Sequence, residues 1–354
     1  MNAAIWLALK DLRLLARDRV ALFWVLGFPL IFALFLGSVL RAGLRGETAP
    51  IEVVIVSDGA EASTLMKGLQ NQPRLKLRAA DRKRASELVR RGEAVAYVEA
   101  VEHGALLGLD PSRAVEAAFV REALTGILAG SVPRIAGNAA AARVRTTSVF
   151  KPPDAGPRET AYVYPAAVLW GLIGCAACFA ISMVTERTQG TFLRLSAAPI
   201  RRSAILSGKA LACAIACLVV TSTISSIAML AFGARFERPF AVAIALLAAT
   251  SCFVGITMLL SLLGRTEQSV AGAGWAVLIL MAMLGGGMVP LSFMPDWLLA
   301  VSDFSPAKWS ILAIEGATWR HFSYRELALP CGVLVSTALV GFVAGAGLLA
   351  RTRP

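Results

Sequence analysis

Two histidines, six cysteines, one Gly-Lys pair and 23 carboxylates are the groups in this 354-residue chain that could carry chemistry. Their spacing supports little of it. His103 and His321 lie in separate polar stretches and form no metal or triad cluster. Cys175-Ala-Ala-Cys178 has the spacing of a redox dithiol, but its neighbours Gly174, Ala176, Ala177 and Phe179 suit a close helix contact better. Cys175, Cys178, Cys213, Cys217, Cys252 and Cys331 all fall in apolar stretches, so no disulfide framework is expected. Gly208-Lys209 is preceded by Ser203 where a phosphate loop needs glycine, and followed by Ala210 where it needs Ser or Thr. The chain therefore carries no nucleotide site of that kind. The apolar stretches hold no central carboxylate or histidine, the groups an ion-coupled carrier uses as relays. Lys209 stands near one end of its stretch and is expected to snorkel to the interface. No catalytic, cofactor-binding or metal-binding residue is expected.

The elements that hold these residues are set by composition. The chain is 57% hydrophobic and only 16% charged, against about 25% charged in soluble domains, so it belongs in a membrane. A crossing takes about 20 apolar residues. Residues 20–41, 161–184, 204–232, 240–263, 270–289 and 327–350 qualify. The first is too long for a signal-peptide core and no cleavage site follows it, so it reads as a retained anchor. The net charge of +12 follows topology and not nucleic acid, because no basic stretch interleaves aromatics. With the N-terminus inside, the short inner pieces hold twelve Lys and Arg against five in the short outer loops. Both termini are then cytoplasmic and residues 42–158 lie outside.

That insert reads as a small α/β domain. Residues 51–56 form a β-branched strand ended by Ser57-Asp58-Gly59; strands are also expected at 75–77, 94–98 and 105–109. Helices are expected at 62–69, at 81–91 and over a long stretch from 112 to 145, broken at Pro133. Pro152, Pro153, Gly156 and Pro157 form a stiff linker. The basic run 74–91 fits a solvated face balanced by Asp81, Glu87 and Glu93 better than a site for anionic lipid or cargo. Residues 1–19 read as an amphipathic interfacial helix, with Trp6, Leu9, Leu12, Leu14 and Leu15 on its apolar side.

The inner loop after the second span carries the most specific signal. Glu186, Gly190-Thr191, Leu193, Leu195, Pro199, Arg201 and Gly208-Lys209 stand in an order and spacing that resembles the permeases of ABC-2 type transporters. Gly285-Gly286-Gly287, Pro290, Pro295, Trp297, Pro306 and Trp309 resemble the broken segment after the fifth span of that family. Layout extends the resemblance over the whole chain: an elbow helix, one span, a large external domain and five more spans.

The resemblance implies a polytopic α-helical membrane protein with the type-2 ABC exporter fold and an inserted extracytoplasmic α/β domain, in a bacterial inner membrane. It implies a non-catalytic permease that exports a hydrophobic or amphipathic substrate. ATP and Mg would be bound by a partner ATPase, in two copies. The permease would pair with itself or with a related permease, among membrane lipids and without nucleic acid. Loop 185–203 would be the coupling element, with Glu186, Arg187, Gly190, Thr191, Phe192, Leu193, Arg194, Leu195, Pro199 and Arg201. Phe192, Leu193 and Leu195 would seat in the ATPase groove, and Arg187 and Arg194 would pair with its acidic rim. Residues 285–310 would re-enter the outer leaflet. Thr221, Ser222, Thr223, Ser225 and Ser226 either line the path or bond neighbouring helices. Rivals are an ion-coupled carrier or channel without an ATPase, a membrane-anchored sensor, and a membrane enzyme. The identity of the cargo is not legible in the sequence.

Overall fold

The computed structural model describes residues 3–351, except 44–50, 57–65, 67–68, 71, 73, 92, 102–103, 111–113, 132–142, 150–157, 192–201, 262–263, 265, 289–290 and 292–293. Helix α1 (Ala3–Arg17) ends at Asp18, whose carboxylate accepts from the amides of Val20 and Ala21 and starts a new helix. The first span is α2 (Arg19–Leu22), a π-turn (Phe23–Gly27) and α3 (Phe28–Gly43) joined end to end. After the inserted domain come α6 (Arg158–Thr188), α7 (Arg202–Phe232), α8 (Pro239–Leu260) and α9 (Glu267–Leu284). Two shorter helices follow, α10 (Asp296–Ser302) and α11 (Pro306–Thr318), and then α12 (Tyr324–Arg351). Among the described residues, six segments are long and apolar enough to cross a membrane, at the places the hydropathy gives.

Lipid is as apolar as leucine, so these helices must associate by close packing, which small residues permit. Gly174 of α6 lies against the carbonyl of Trp24, in the π-turn of the first span. Gly171 faces Val220 and Ile224 of α7. A Cβ on Gly341 of α12 would sit 2.5 Å from the Gly255 carbonyl oxygen of α8, and one on Gly345 would sit 2.9 Å from the Met258 Cβ. The Gly341-x-x-x-Gly345 pair is thus used inside the chain. Trp24, Phe28, Phe32, Trp170 and Trp275 interlock the first span with α6 and α9, at ring separations of 4.9 to 6.0 Å. The six cysteines are free.

Among the described residues, the inserted domain holds a five-stranded sheet in the order β2-β1-β3-β4-β5. Its strands are β1 (Ile51–Val56), β2 (Leu75–Ala80), β3 (Ala96–Val101), β4 (Gly104–Leu109) and β5 (Arg143–Ser148). All pairs are parallel except the β3–β4 hairpin. Helix α4 (Arg82–Arg90) covers one face and α5 (Ala114–Ser131) the other. In β1, Val53 and Ile55 pack into the α5 layer, while Val54 and Val56 pack into the α4 layer. A strand covered on both faces reads as an unbroken apolar run.

Of the long helix expected from 112 to 145, Ala114–Ser131 is helical, 132–142 lie outside the described residues, and the end of the expected range is instead a strand, Arg143–Ser148, paired in parallel with β4. Its Val144, Thr146 and Thr147 favour the extended chain, and the open β4 edge supplies the partner. Of the helix expected at 62–69, only Met66 and Leu69 lie within the described residues, and the 152–157 linker lies outside them.

A Cβ on Gly255 would lie 2.7 Å from the backbone of Ala338. Gly255→Val should therefore cost about 1–3 kcal/mol of stability by overpacking. Thermal unfolding in detergent checks this, with Gly332→Ala, which meets nothing within 4 Å, as the control.

Candidate functional site

Helix α1 lies along α7 with its small residues inward. Ala8 is buried, whereas Ile5, Trp6, Leu9 and Leu14 are exposed large apolar groups. One face therefore meets the bundle and another is free to meet lipid. Contact is close because Gly208 of α7 has no side chain: a Cβ there would stand 2.9 Å from the Ala4 carbonyl oxygen and 3.0 Å from the Leu7 Cβ. Asp11 follows Ala4 by two helical turns, so it faces the same way.

There it meets Lys209. The Lys209 Nζ lies 3.0 Å from Asp11 Oδ2 and 2.7 Å from Glu186 Oε2. Lys10 closes a ring, 3.1 Å from Asp11 Oδ1 and hydrogen-bonded to Glu186 Oε1. Two cations and two anions alternate, and the net charge is zero. Asp11 and Lys209 are each 4% exposed and Glu186 8%. Burial works against the Lys10 ammonium, yet the bond to Glu186 and the Asp11 carboxylate hold its pKa above the ordinary lysine value. Lys10 thus stays charged through neutral pH, and its share of the ring fades only as pH climbs through that raised value.

The expectation that Lys209 snorkels is corrected. It lies about 10 Å inside α7 and is held there by two carboxylates. Glycine admits the neighbouring helix and lysine neutralises what that helix brings, which is why the Gly-Lys pair belongs here. Lys10 and Asp11 were not among the expected site residues. The signal was present: Asp11 is an acid on the small-residue face of an otherwise basic helix.

Glu186 and Arg187 form the last turn of α6. The Arg187 guanidinium turns inward to donate to the Ser261 carbonyl, at the end of α8, at 3.1 Å. Such a contact satisfies an orphan helix-end carbonyl. Gly190 then takes φ +74°, a left-handed residue that glycine adopts without strain. Thr191 is exposed beyond it. Phe192, Leu193, Arg194, Leu195, Pro199 and Arg201 lie outside the described residues.

At the opposite end, Gly285, Gly286 and Gly287 turn the chain after α9. Gly286 has φ +88°, a Cβ on Gly285 would lie 2.6 Å from the Lys308 amide nitrogen, and Gly287 accepts from the Trp170 indole at 3.1 Å. Pro295 precedes α10 and Pro306 opens α11. Thirteen residues make α11 about 20 Å long, too short to cross, and it packs against α6, α8, α9 and α12. Trp297 is 69% exposed, and the Trp309 indole donates to the Asp303 carbonyl. Pro290 lies outside the described residues. In α7, Thr221 and Ser225 are buried, and Ser225 shares a 2.8 Å hydrogen bond with Tyr164 of α6. Ser222 and Ser226 are exposed on the other side and Thr223 is half-buried; the Thr223 and Ser226 hydroxyls donate back to their own helix. One side of the band therefore joins helices, and the other faces outward from the bundle.

Among the described residues, no group of three or more His, Cys, Asp and Glu could hold a metal ion. The ring ties α1, α6 and α7 together through ion pairs. Lys209→Met should strand two buried carboxylates and cost about 3–5 kcal/mol. Adding Asp11→Leu to it should recover part of that loss, as read by thermal unfolding in detergent.

The family described as ABC-2 family transporter protein matches residues 19–346. The Linearmycin resistance permease protein LnrN of Bacillus subtilis (strain 168) is 22% identical over 164 residues, covering 46% of this chain and 43% of that protein. The match thus spans less than half of the relative's length. With nearly the whole chain inside the family match, and six helices fit to cross a membrane, this protein belongs to the ABC-2 transporter family as a membrane subunit.

Proposed function

We propose that this chain is the permease of an ABC exporter, which moves a hydrophobic or amphipathic substrate outward while a separate ATPase hydrolyses ATP. Membership of the family implies an ATPase partner. In the proposed assembly two ATPase subunits bind ATP and Mg, and two permeases pair, alike or related. Both termini lie in the cytoplasm of a bacterial inner membrane and residues 42–158 lie outside. The relative is named for resistance to linearmycin, which makes a toxic amphipathic compound the first class of cargo to try.

The charge ring carries this reading. Glu186 and Lys209 flank the loop expected to touch the ATPase, and both are bound to α1. A push on Thr191 and the residues after it then moves α1, α6 and α7 together. Phe192, Leu193 and Leu195 seat in the ATPase groove, and Arg194 serves its rim. Arg187 is bonded to the end of α8 and serves the joint. The 285–310 segment re-enters the outer leaflet, and the exposed Ser222 and Ser226 of α7 face the path. An ion-coupled carrier finds no support. The ionisable side chains described in the six spans lie towards the helix ends, and the most deeply buried of them, Lys209, is closed in the ring.

Phe192→Asp should weaken ATPase association by about thirtyfold or more, the loss expected of a central contact, and leave the melting temperature of the permease unchanged. Co-purification from detergent and ATPase stimulation by cargo in nanodiscs check this. Full association of the variant, or export by the permease alone in vesicles, would overturn the proposal.

A further inference from the structure

The external domain is joined to the membrane part by more than its two connecting segments. Arg90, in the last turn of α4, sets its guanidinium on Glu326 in the first turn of α12, with Nη1 and Nη2 each 3.0 Å from a carboxylate oxygen. Its Nη2 also donates to the His321 carbonyl at 3.3 Å. The contact is returned. Arg320, just beyond α11, donates from Nη1 to the Arg90 carbonyl at 2.8 Å. Its Nε is fixed on Glu315 of α11 at 2.8 Å, and both residues of that pair are buried.

The receiving turn is held from every side. Arg238, before α8, donates to the Phe322 carbonyl and lies over the Tyr324 ring at 4.8 Å. The Ser323 amide and hydroxyl both donate to Glu326, each at 2.7 Å. His321 sits at φ +50°, a conformation a non-glycine residue keeps only where its surroundings over-determine it. Glu315, Arg320 and the turn belong to the membrane part, and Arg90 comes from the inserted domain.

We propose that Arg90 is a positioning residue that clamps the external domain to the corner between α11 and α12, so that the two move as one body. Withdrawing the domain would strip buried Arg320 of a carbonyl partner and leave the half-buried Glu326 without this cation. A load on the external domain is therefore felt at the outer end of the last span, and movement of that end turns the domain. The consequence for export rests on the function proposed above; the clamp itself does not.

Hydrogen exchange on the full chain in nanodiscs separates the two. Arg90→Ala should raise amide exchange in residues 319–323 about tenfold, as expected on losing a charged hydrogen bond, with α1 unchanged. Arg90→Lys should fall between, because it keeps the charge and loses the fork. Glu326→Gln combined with Arg90→Ala should raise exchange by less than the two single effects multiplied, because the two variants share one contact. In the complex with its ATPase, Arg90→Ala should lower cargo moved per ATP several-fold at an unchanged basal ATPase rate. Exchange that rises only within α4, or effects that multiply in full, would overturn the clamp. An intact ratio of cargo to ATP would overturn its role in export, and no ATP-driven transport by the unmodified chain would instead overturn the function proposed above.

Discussion

Three charges are shut away from water where α1, α6 and α7 meet, with the half-exposed Lys10 closing their ring, and that confinement governs this end of the molecule. A buried ion is tolerable only while its partner stays close. Asp11, Glu186 and Lys209 therefore cannot separate without each paying for its own solvation, and three helices from distant parts of the sequence become one lever. Gly208 lets α1 approach, and Gly190 ends α6 just beyond the ring. The loop between α6 and α7 thus hangs from a rigid mount.

The rest of the bundle divides its work in the same way. Charged fixings stand at its two ends, the ring at one and the Arg90–Arg320 clamp at the other. Between them the helices meet through glycines, aromatic rings and hydroxyls, as in the α8–α12 seam and the Tyr164–Ser225 contact. Apolar seams without large side chains can slide by small steps, whereas buried ion pairs hold or break. Ion pairs thus fix the two ends, while the seam between α8 and α12 is built of small residues.

Much of this was legible in the sequence. The six spans follow from hydropathy, since a run of about 20 apolar residues has few other uses. Strand β1 declared itself by its β-branched run, and α4 by its helical spacing. Strand β5 was hidden because Ala-rich sequence before it extends a helical pattern, and only the exposed β4 edge makes a strand of Arg143–Ser148. The broken segment after α9 was readable from Gly285-Gly286-Gly287 and Pro306, whose backbone demands are local. The ring was half readable. Glu186 and Lys209 stood out beside apolar runs, but their pairing with Lys10 and Asp11 spans more than 170 positions, beyond any local spacing rule. Arg90 was counted within a solvated basic face for the same reason: its partner Glu326 lies 236 positions away.

Accessibility of Thr191 tests the mount most directly. It is exposed at the head of the loop, and the six native cysteines are buried or half-buried in apolar helices. With Thr191→Cys in an otherwise cysteine-free chain, a membrane-impermeant maleimide should label inverted vesicles and spare intact cells. Bound ATPase should block the reaction. Labelling of intact cells, or labelling indifferent to the ATPase, would contradict a loop that receives force from the nucleotide side.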